Sequence, residues 1–168
     1  MEKIVIEHFK ERVEEYTQER DLMPFPIDFE GRVLEVGCGA RPSYSIENID
    51  FYGIDITPAM IRAFRENYPF TPLIICDVKL LPFKLNSFQL VVANTVLHHL
   101  VPDNPSQCVH NVRCAISEVN RVLSSESIFL IKELLAKNCL YTLIMYYVTL
   151  FCAKHNIDIN FLDIHDIE

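Results

Sequence analysis

Polar side chains close several short apolar runs in this chain. Asp55, Asp77 and Asn94 each end such a run, and Glu35 lies two residues before a Gly-Cys-Gly segment. Short apolar runs are typical of buried parallel strands, whose carboxyl ends meet at one edge of a sheet. Ligands of these sheets bind beyond that edge, so we expect the four side chains to surround one small-molecule site. Taken singly, Asp55 and Asp77 could be ordinary turn residues, and Glu35 could cap a helix or pair with a lysine.

The two glycines of this segment, Gly37 and Gly39, indicate a sharp turn directly after the first strand. Glycine allows such a turn and lets a ligand approach the backbone closely. Asp55 lies 20 residues after Glu35, where an acid can accept hydrogen bonds from both hydroxyls of a ribose. The spacing therefore indicates a ligand of the adenosine type.

The charge at the turn separates the cofactors that contain adenosine. A pyrophosphate needs free backbone N–H groups without a competing negative charge, whereas Glu35 places a carboxylate beside the turn. Pro42 stands where a GxGxxG motif has its last glycine, and it has no N–H group. NAD and ATP are therefore poor fits. A cofactor with an amino group, a sulfonium and no phosphate favours a nearby carboxylate, and S-adenosylmethionine is such a molecule.

Four segments, in order, resemble the motifs of the class I S-adenosylmethionine-dependent methyltransferases. The resemblance covers residues 33–132 and is strongest to the branch that includes ubiquinone and menaquinone C-methyltransferases. The segments are VLEVGCGA, YGIDITPAM, CDVKLLPF and FQLVVANTVLHHL. Four motifs at the proper spacing are far more specific than one pair of glycines.

The resemblance implies a role for each motif. The glycine turn would hold the methionine part of the cofactor, and Asp55 would bind its ribose. Asp77 and the backbone of Val78 would meet the adenine amino group, and Asn94 would lie near the methionine end. The full set of expected cofactor-binding residues is Glu35, Gly37, Cys38, Gly39, Asp55, Ile56, Asp77, Val78 and Asn94.

The elements that would position these residues follow from apolar periodicity. Strands are predicted over residues 32–36, 51–55, 73–77, 89–94 and 127–132. One helix should begin at Thr57-Pro58 and run to about residue 68, and an amphipathic first helix should end before residue 21. Another should be capped by Ser106 and present one apolar stripe, Val109, Val112, Ile116, Val119 and Leu123. The alternation predicts an α/β, Rossmann-like, three-layer αβα fold with a mostly parallel open sheet.

Three departures from the family pattern carry expectations of their own. Gln89 replaces the usual acid at the start of the fourth strand, which should affect packing or polarity at its base. Arg41-Pro42 predicts that the helix after the glycine turn is short or irregular. The family's sheet ends in a two-stranded hairpin, but only 36 residues follow Lys132. The chain is thus expected either to lack that hairpin or to be a piece of a longer protein, with the fifth strand covered by its tail or by a second subunit.

Two sets of side chains invite a catalytic or metal-binding interpretation. His98 and His99 are weak candidates for a general base, because a hydroxyl or activated carbon must lose a proton when it is methylated. One of the pair could equally be a packing residue, since many methyl transfers need only placement in line. Cys108, His110 and Cys114 offer three ligands without the usual paired spacing, so we expect no metal site.

Length and composition favour a single domain over residues 1–168. We divide it into an N-terminal helix and lid (1–30), a cofactor-binding core (31–132), and an apolar helix with a tail (133–168). Fifteen Lys and Arg against 23 Asp and Glu give a net charge of −8, which disfavours a nucleic-acid substrate.

Other features bear on the compartment. The first twenty residues contain no signal-peptide pattern, and the six cysteines show no paired spacing, so a cytoplasmic protein is expected. The uncharged stretch of 16 residues, 138–153, would rise about 24 Å as a helix, too short to span a bilayer. This stretch, like the edge of the fifth strand, could be the contact surface of a homo-oligomer.

The functional prediction is transfer of a methyl group from S-adenosylmethionine to a small, hydrophobic or quinone-like acceptor. Holding the acceptor in line with the methyl group would supply most of the rate enhancement. The first alternative is a methyltransferase-like module with impaired catalysis that binds the cofactor or a partner. The second alternative is a nicotinamide oxidoreductase.

Overall fold

The computed structural model describes residues 2–17, 31–100 and 105–133. All of them belong to one compact unit that ends at Glu133. The predicted apolar helix and tail, residues 133–168, lie outside the described residues except for Glu133 itself. The predictions of a single domain and of a missing strand hairpin therefore stay predictions.

Five parallel strands form one sheet. They are β1 (Arg32–Val36), β2 (Asp50–Asp55), β3 (Leu73–Ile75), β4 (Phe88–Asn94) and β5 (Leu123–Lys132), in the order β3-β2-β1-β4-β5. The central strand β1 is buried on both faces, as its continuous apolar character predicts. Its Glu35 lies in register with Gly53 of β2 and Val92 of β4. The predicted parallel α/β sheet is confirmed.

Two helices cover the two faces of the sheet. Helix α3 (Pro58–Asn67) places Ile61 and Phe64 against one face, with Val33 of β1. Helix α4 (Pro105–Val122) places Ala115, Val119 and Val122 against the other. This is the three-layer arrangement expected from the strand and helix pattern.

Helix α4 differs from its prediction in two respects. It begins at Pro105, so Ser106 lies within the helix and does not cap it. Proline suits a first helical position because its missing N–H would have no partner there. The apolar stripe is also rotated, since the side chain of Val109 is 55% exposed and Leu123 belongs to β5. Packing therefore selects the face that contains Ala115 and Val122.

Two connections contain no helix. The chain from β1 to β2 is irregular over residues 37–49, so the helix that the sequence predicts to be short or irregular is absent. The connection from β3 to β4 is irregular as well, and Arg121 of α4 fixes it. The Arg121 guanidinium donates to the carbonyl oxygens of Leu81 and Phe83, each at 2.8 Å, and Glu118 accepts the Leu81 N–H at 2.8 Å.

The first predicted helix is divided in two, α1 (Glu2–Glu11) and α2 (Val13–Thr17). Phe9 and Val13 pack against a small buried cluster of Ala40, Met60 and Ala63. These helices thus lie against α3 and against the residue that follows the glycine turn. Within the part of the chain that the structure describes, no helix combines the length and apolar character needed to cross a membrane.

Candidate functional site

The glycine turn after β1 has the geometry that the sequence predicts. Gly37 and Gly39 have φ angles of +69° and +63°, a left-handed conformation that side chains other than glycine adopt at a cost. A Cβ atom at Gly37 would lie 2.2 Å from Cγ2 of Val96. A Cβ atom at Gly39 would meet no described atom within 4 Å. Gly37 therefore serves close packing, whereas Gly39 faces open space in which a ligand could lie.

Asp55, at the end of β2, is bonded directly to this turn. Its Oδ2 accepts the Gly39 N–H at 3.0 Å, and its Oδ1 accepts the Thr57 N–H at 2.7 Å. Burial raises the pKa of Asp55, although these backbone hydrogen bonds oppose the shift. Asp55 therefore organises the turn. Each carboxylate oxygen can accept a further hydrogen bond, as from a ribose hydroxyl.

Glu35 is buried in the sheet, with 1% of its surface exposed. Its Oε1 accepts a hydrogen bond from the Ser43 hydroxyl at 3.0 Å, and the same Ser43 oxygen accepts a hydrogen bond from the Asn94 amide at 2.6 Å. Two buried acceptor atoms of this chain, Glu35 Oε2 and Asn94 Oδ1, have no hydrogen-bond partner among the described residues. An unpaired buried acceptor is costly, so the site is built to receive hydrogen-bond donors.

The surroundings of Glu35 change its protonation. Burial raises its pKa to about 8, and its hydrogen bonds with Ser43 only partly oppose this. The charge of Asp55 raises it further. Near neutral pH the carboxyl group is therefore mostly protonated until a cation lies beside it.

Asp77 and Val78 follow β3 at the same edge of the sheet. The N–H of Cys76 donates to the Asp55 carbonyl at 3.1 Å, which joins the ends of β2 and β3. Asp77 accepts the Lys79 N–H at 2.8 Å and pairs with the Lys79 ammonium at 3.1 Å. Val78 is buried, so its side chain belongs to the core. Asp77 is thus already engaged by Lys79, which the sequence prediction did not anticipate.

Cys38 and Ile56 occupy supporting positions. The Cys38 N–H donates to the Ile54 carbonyl at 2.9 Å, and burial raises the pKa of its thiol. Gly53 permits this packing, because a Cβ there would lie 2.9 Å from the Cys38 sulfur. Ile56 is half-buried directly after Asp55. The structure therefore gathers all nine predicted cofactor residues at, or just before, the carboxyl edge of β1 to β4.

The two predicted histidines lie on a short 3-10 helix (Leu97–His99) after β4. Their rings contact each other with centroids 3.9 Å apart, and Phe9 of α1 packs edge-on against His99 at 4.9 Å. His98 Nδ1 lies 2.9 Å from Glu133 Oε2.

Cys108, His110 and Cys114 of α4 are the side chains for which the sequence predicts no metal site. His110 and Cys114 approach each other to 3.5 Å, whereas the side chain of Cys108 lies outside the description. Over the described residues, no three His, Cys, Asp or Glu side chains are grouped as metal ligands.

Sequence reasoning missed Ser43, Val96 and Glu133. Nothing in an irregular segment signals that Ser43 will connect Glu35 to Asn94. Glu133, however, is an acid directly after β5, and the strand-end rule that selected Asp55 and Asp77 would have selected it too.

Residues 34–131 match a family model described as a methyltransferase domain. This match spans more than half of the chain, which therefore belongs to that family. An uncharacterised protein of Methanocaldococcus jannaschii is 30% identical over 113 residues, which are 67% of this chain and 40% of that protein. The chain thus corresponds to well under two thirds of this relative.

Solved structures agree on the fold. The PH0226 protein of Pyrococcus horikoshii is 24% identical with a TM-score of 0.55, over 63% of this chain and 50% of that one. An S-adenosylmethionine-dependent methyltransferase of Methanosarcina mazei is 22% identical with a TM-score of 0.55, over 66% and 57%. The YcgJ protein of Bacillus subtilis is 19% identical with a TM-score of 0.58, over 83% and 57%. Together with the family match, these likenesses define a class I methyltransferase fold, which implies S-adenosylmethionine as cofactor.

The residues present fit that cofactor. Its α-ammonium group carries three N–H donors, which match the unpaired oxygens of Glu35 and Asn94. A diphosphate carries no N–H donor, so it would leave the Asn94 oxygen without a partner. The donor requirement therefore agrees with the family.

Proposed function

We propose that this protein transfers the methyl group of S-adenosylmethionine to a small, hydrophobic acceptor. The observation that supports this most strongly is the pair of buried, unpaired acceptor atoms beside an open glycine turn. The bound cofactor would supply an activated methyl group on a sulfonium. The ubiquinone and menaquinone C-methyltransferase branch and a cytoplasmic location belong to the same proposal, and so do both alternatives for the chain end, a missing strand hairpin or a longer parent protein.

In this proposal each residue has a separate task. Glu35 and Asn94 bind the ammonium group, and Ser43 fixes the distance between them. Gly37 and Gly39 shape the turn that receives the methionine part of the cofactor, with Cys38 fixing it to β2. Asp55 accepts hydrogen bonds from the ribose, and Asp77 with the backbone of Val78 binds the adenine, beside Ile56.

Catalysis in this proposal comes mainly from placement. A reacting atom held about 3 to 3.5 Å from the methyl carbon, in line with the leaving sulfur, gains most of the available acceleration. The acceptor would lie between α1 and the 3-10 helix, where Phe9 contacts His99. The aromatic character of this contact favours an apolar acceptor.

Calorimetric titration tests the proposal. We expect S-adenosylhomocysteine and S-adenosylmethionine to bind and NADH not to bind. Glu35→Gln should weaken binding by roughly tenfold or more, since a charge-assisted hydrogen bond contributes about 1.5 to 3 kcal/mol. Glu47→Gln, an exposed glutamate in the same connection, is the matched control and should bind as the wild type does. Binding of NADH alone would refute the proposal.

A second candidate is a module that binds the cofactor without methylating an acceptor. The absent helix after the glycine turn favours it, because that connection is irregular over residues 37–49. The two candidates differ in turnover: a binding module would hold S-adenosylmethionine without releasing S-adenosylhomocysteine in the presence of any acceptor.

A further inference from the structure

Glu133 joins β5 to the segment after β4 through three hydrogen bonds. Its Oε1 accepts the N–H groups of Val96 and Leu97, at 2.8 and 2.6 Å. Its Oε2 lies 2.9 Å from Nδ1 of His98. The Glu133 side chain is 12% exposed, and that of His98 is 40% exposed. A nearly buried carboxylate thus holds a histidine that solvent or a substrate can reach.

This arrangement assigns the tautomer of His98. An ionised carboxylate only accepts hydrogen bonds, so the proton of a neutral His98 must reside on Nδ1. Its Nε2 then carries a lone pair, and no described residue donates to it. A histidine oriented in this way by a carboxylate is prepared to remove a proton. Among the described residues, the titratable groups that face it are Glu133 and His99.

The position of His98 relates it to the proposed methyl-transfer site. It lies four residues after Asn94, on the segment whose Val96 packs against Gly37 of the cofactor turn. The adjoining His99 ring is packed against Phe9 of α1. His98 therefore lies beside the contact between Phe9 and His99, where the acceptor is expected.

We propose that His98 is the general base for an acceptor with an aromatic hydroxyl group, and that Glu133 is its positioning residue. This inference rests on the proposed methyl transfer, but it takes oxygen as the methylated atom, not the carbon that the resemblance to C-methyltransferases implies. A phenol, with a pKa of about 10, is mostly protonated at neutral pH and needs a base, whereas a thiol with a pKa of about 8.5 ionises readily without one.

The step balances without any further reactant. Nε2 of His98 takes the hydroxyl proton while the oxygen forms a bond to the methyl carbon. The bond from carbon to sulfur breaks, and its electron pair stays on sulfur, which gives S-adenosylhomocysteine. Glu133 stabilises the imidazolium until its proton passes to solvent.

Nuclear magnetic resonance of histidine labelled with nitrogen-15 tests the tautomer, in the presence of S-adenosylhomocysteine. In the wild type, the neutral His98 ring should carry its proton on Nδ1. In Glu133→Gln, the single amide oxygen of the glutamine should keep accepting the N–H groups of Val96 and Leu97. Its NH₂ group then faces His98 and donates to Nδ1, so the proton of the neutral ring should move to Nε2. Glu126→Gln, an exposed glutamate on β5, is the matched control and should leave His98 unchanged. A proton on Nε2 in the wild type would overturn the proposal.

Methyl transfer tests the base directly, with phenol, catechol and hydroquinone as acceptors and S-adenosylhomocysteine release as the readout. His98→Asn and Glu133→Gln should lower kcat by roughly 10² to 10⁴, the usual contribution of a general base. Binding of S-adenosylhomocysteine should stay within about twofold, because neither residue lies among the proposed cofactor ligands. His110→Asn, an exposed histidine on α4, is the control and should keep the wild-type rate.

The pH dependence separates a base from a structural residue. The wild-type kcat should depend on pH as general-base catalysis requires, and the His98→Asn profile should lack that dependence. If S-adenosylhomocysteine fails to bind the wild type, the proposed function itself fails. If it binds but none of the three acceptors is methylated, or if His98→Asn keeps the wild-type kcat, the assignment of His98 is wrong.

Discussion

Glu35 is a carboxyl group that folding buries directly before the glycine turn. Its Oε2 and the Asn94 Oδ1 lack donors among the described residues, and burial raises its pKa to about 8. Such groups concentrate at functional sites, because a bound ligand repays their cost. At the scale of single residues, the site thus contains buried acceptor atoms that favour a ligand with a positive charge and N–H donors.

The first prediction concerns the pH dependence of stability without ligand. The pKa of Glu35 is higher in the folded state, so the stability it contributes is fully present below about 4.5, its ordinary value, and is lost as the pH rises through about 8. Glu35→Gln has no such titration. Measured by urea unfolding, the free energy of unfolding of Glu35→Gln should therefore increase relative to that of the wild type, on the order of a few kcal/mol, between pH 5 and pH 8.

The pKa of Asp55 is also raised, so wild type and Glu35→Gln both lose some stability through Asp55 as the pH rises. The difference between their two curves of stability against pH therefore isolates the contribution of Glu35. Parallel curves for wild type and Glu35→Gln would contradict this account.

The second prediction separates the two glycines of the turn. Gly37→Ala should destabilise the protein strongly, because its Cβ would clash with Val96 and φ is +69°. Gly39→Ala meets open space and should cost only about 1 to 2 kcal/mol for its left-handed backbone. Thermal unfolding and calorimetry should therefore find a folded Gly39→Ala protein whose cofactor binding is weakened, since its methyl group points toward the ligand. Equal losses of stability in both variants would argue against this division of roles.

At the scale of elements, apolar runs predicted all five strands, and β1 has the predicted bounds. The Thr57-Pro58 pair correctly predicted the start of α3, whose first residue is Pro58. The pattern failed where tertiary contacts decide. Val109 continues the apolar periodicity of α4 but is exposed, because the sheet covers a neighbouring face. No local signal could show that Ser43 would reach both Glu35 and Asn94, since that contact depends on the sheet register.

The third prediction concerns the irregular start of β5. Phe88 faces Leu123 and Leu90 faces Ile128, so β5 bulges between these pairs, and Glu126 there has a φ of +61°. Glu126→Gly should remove this backbone strain and stabilise the protein by about 1 kcal/mol. Asn86→Gly is the matched control at φ +56°, with a smaller gain because asparagine tolerates this conformation. Urea unfolding measures both, and destabilisation by Glu126→Gly would show that its side chain matters more than the strain.

At the scale of the whole molecule, the sheet ends at β5 in the described residues. Ile128 and Ile131 are each 45% exposed there. A bare edge with apolar side chains invites pairing with another chain, and proteins commonly cover it. The expectation that the tail or a second subunit covers β5 stays a prediction, because residues 134–168 lie outside the described residues.

The fourth prediction tests that cover. In the full chain, the amides of residues 127–132 that do not donate to β4 should exchange slowly with deuterium. Measurement over a range of protein concentrations distinguishes the two covers, since protection by a second subunit depends on concentration. Fast exchange at every concentration would mean that the edge is open.

The function of this chain depends most on which ligand the turn of Gly37 and Gly39 receives. A crystal structure with S-adenosylhomocysteine tests this most directly. We predict that the ligand's amino group lies within hydrogen-bond distance of Glu35 Oε2 or Asn94 Oδ1, with its ribose at Asp55. A ligand bound elsewhere, or the diphosphate of a dinucleotide seated on the two glycines after a parallel soak with NADH, would contradict the account.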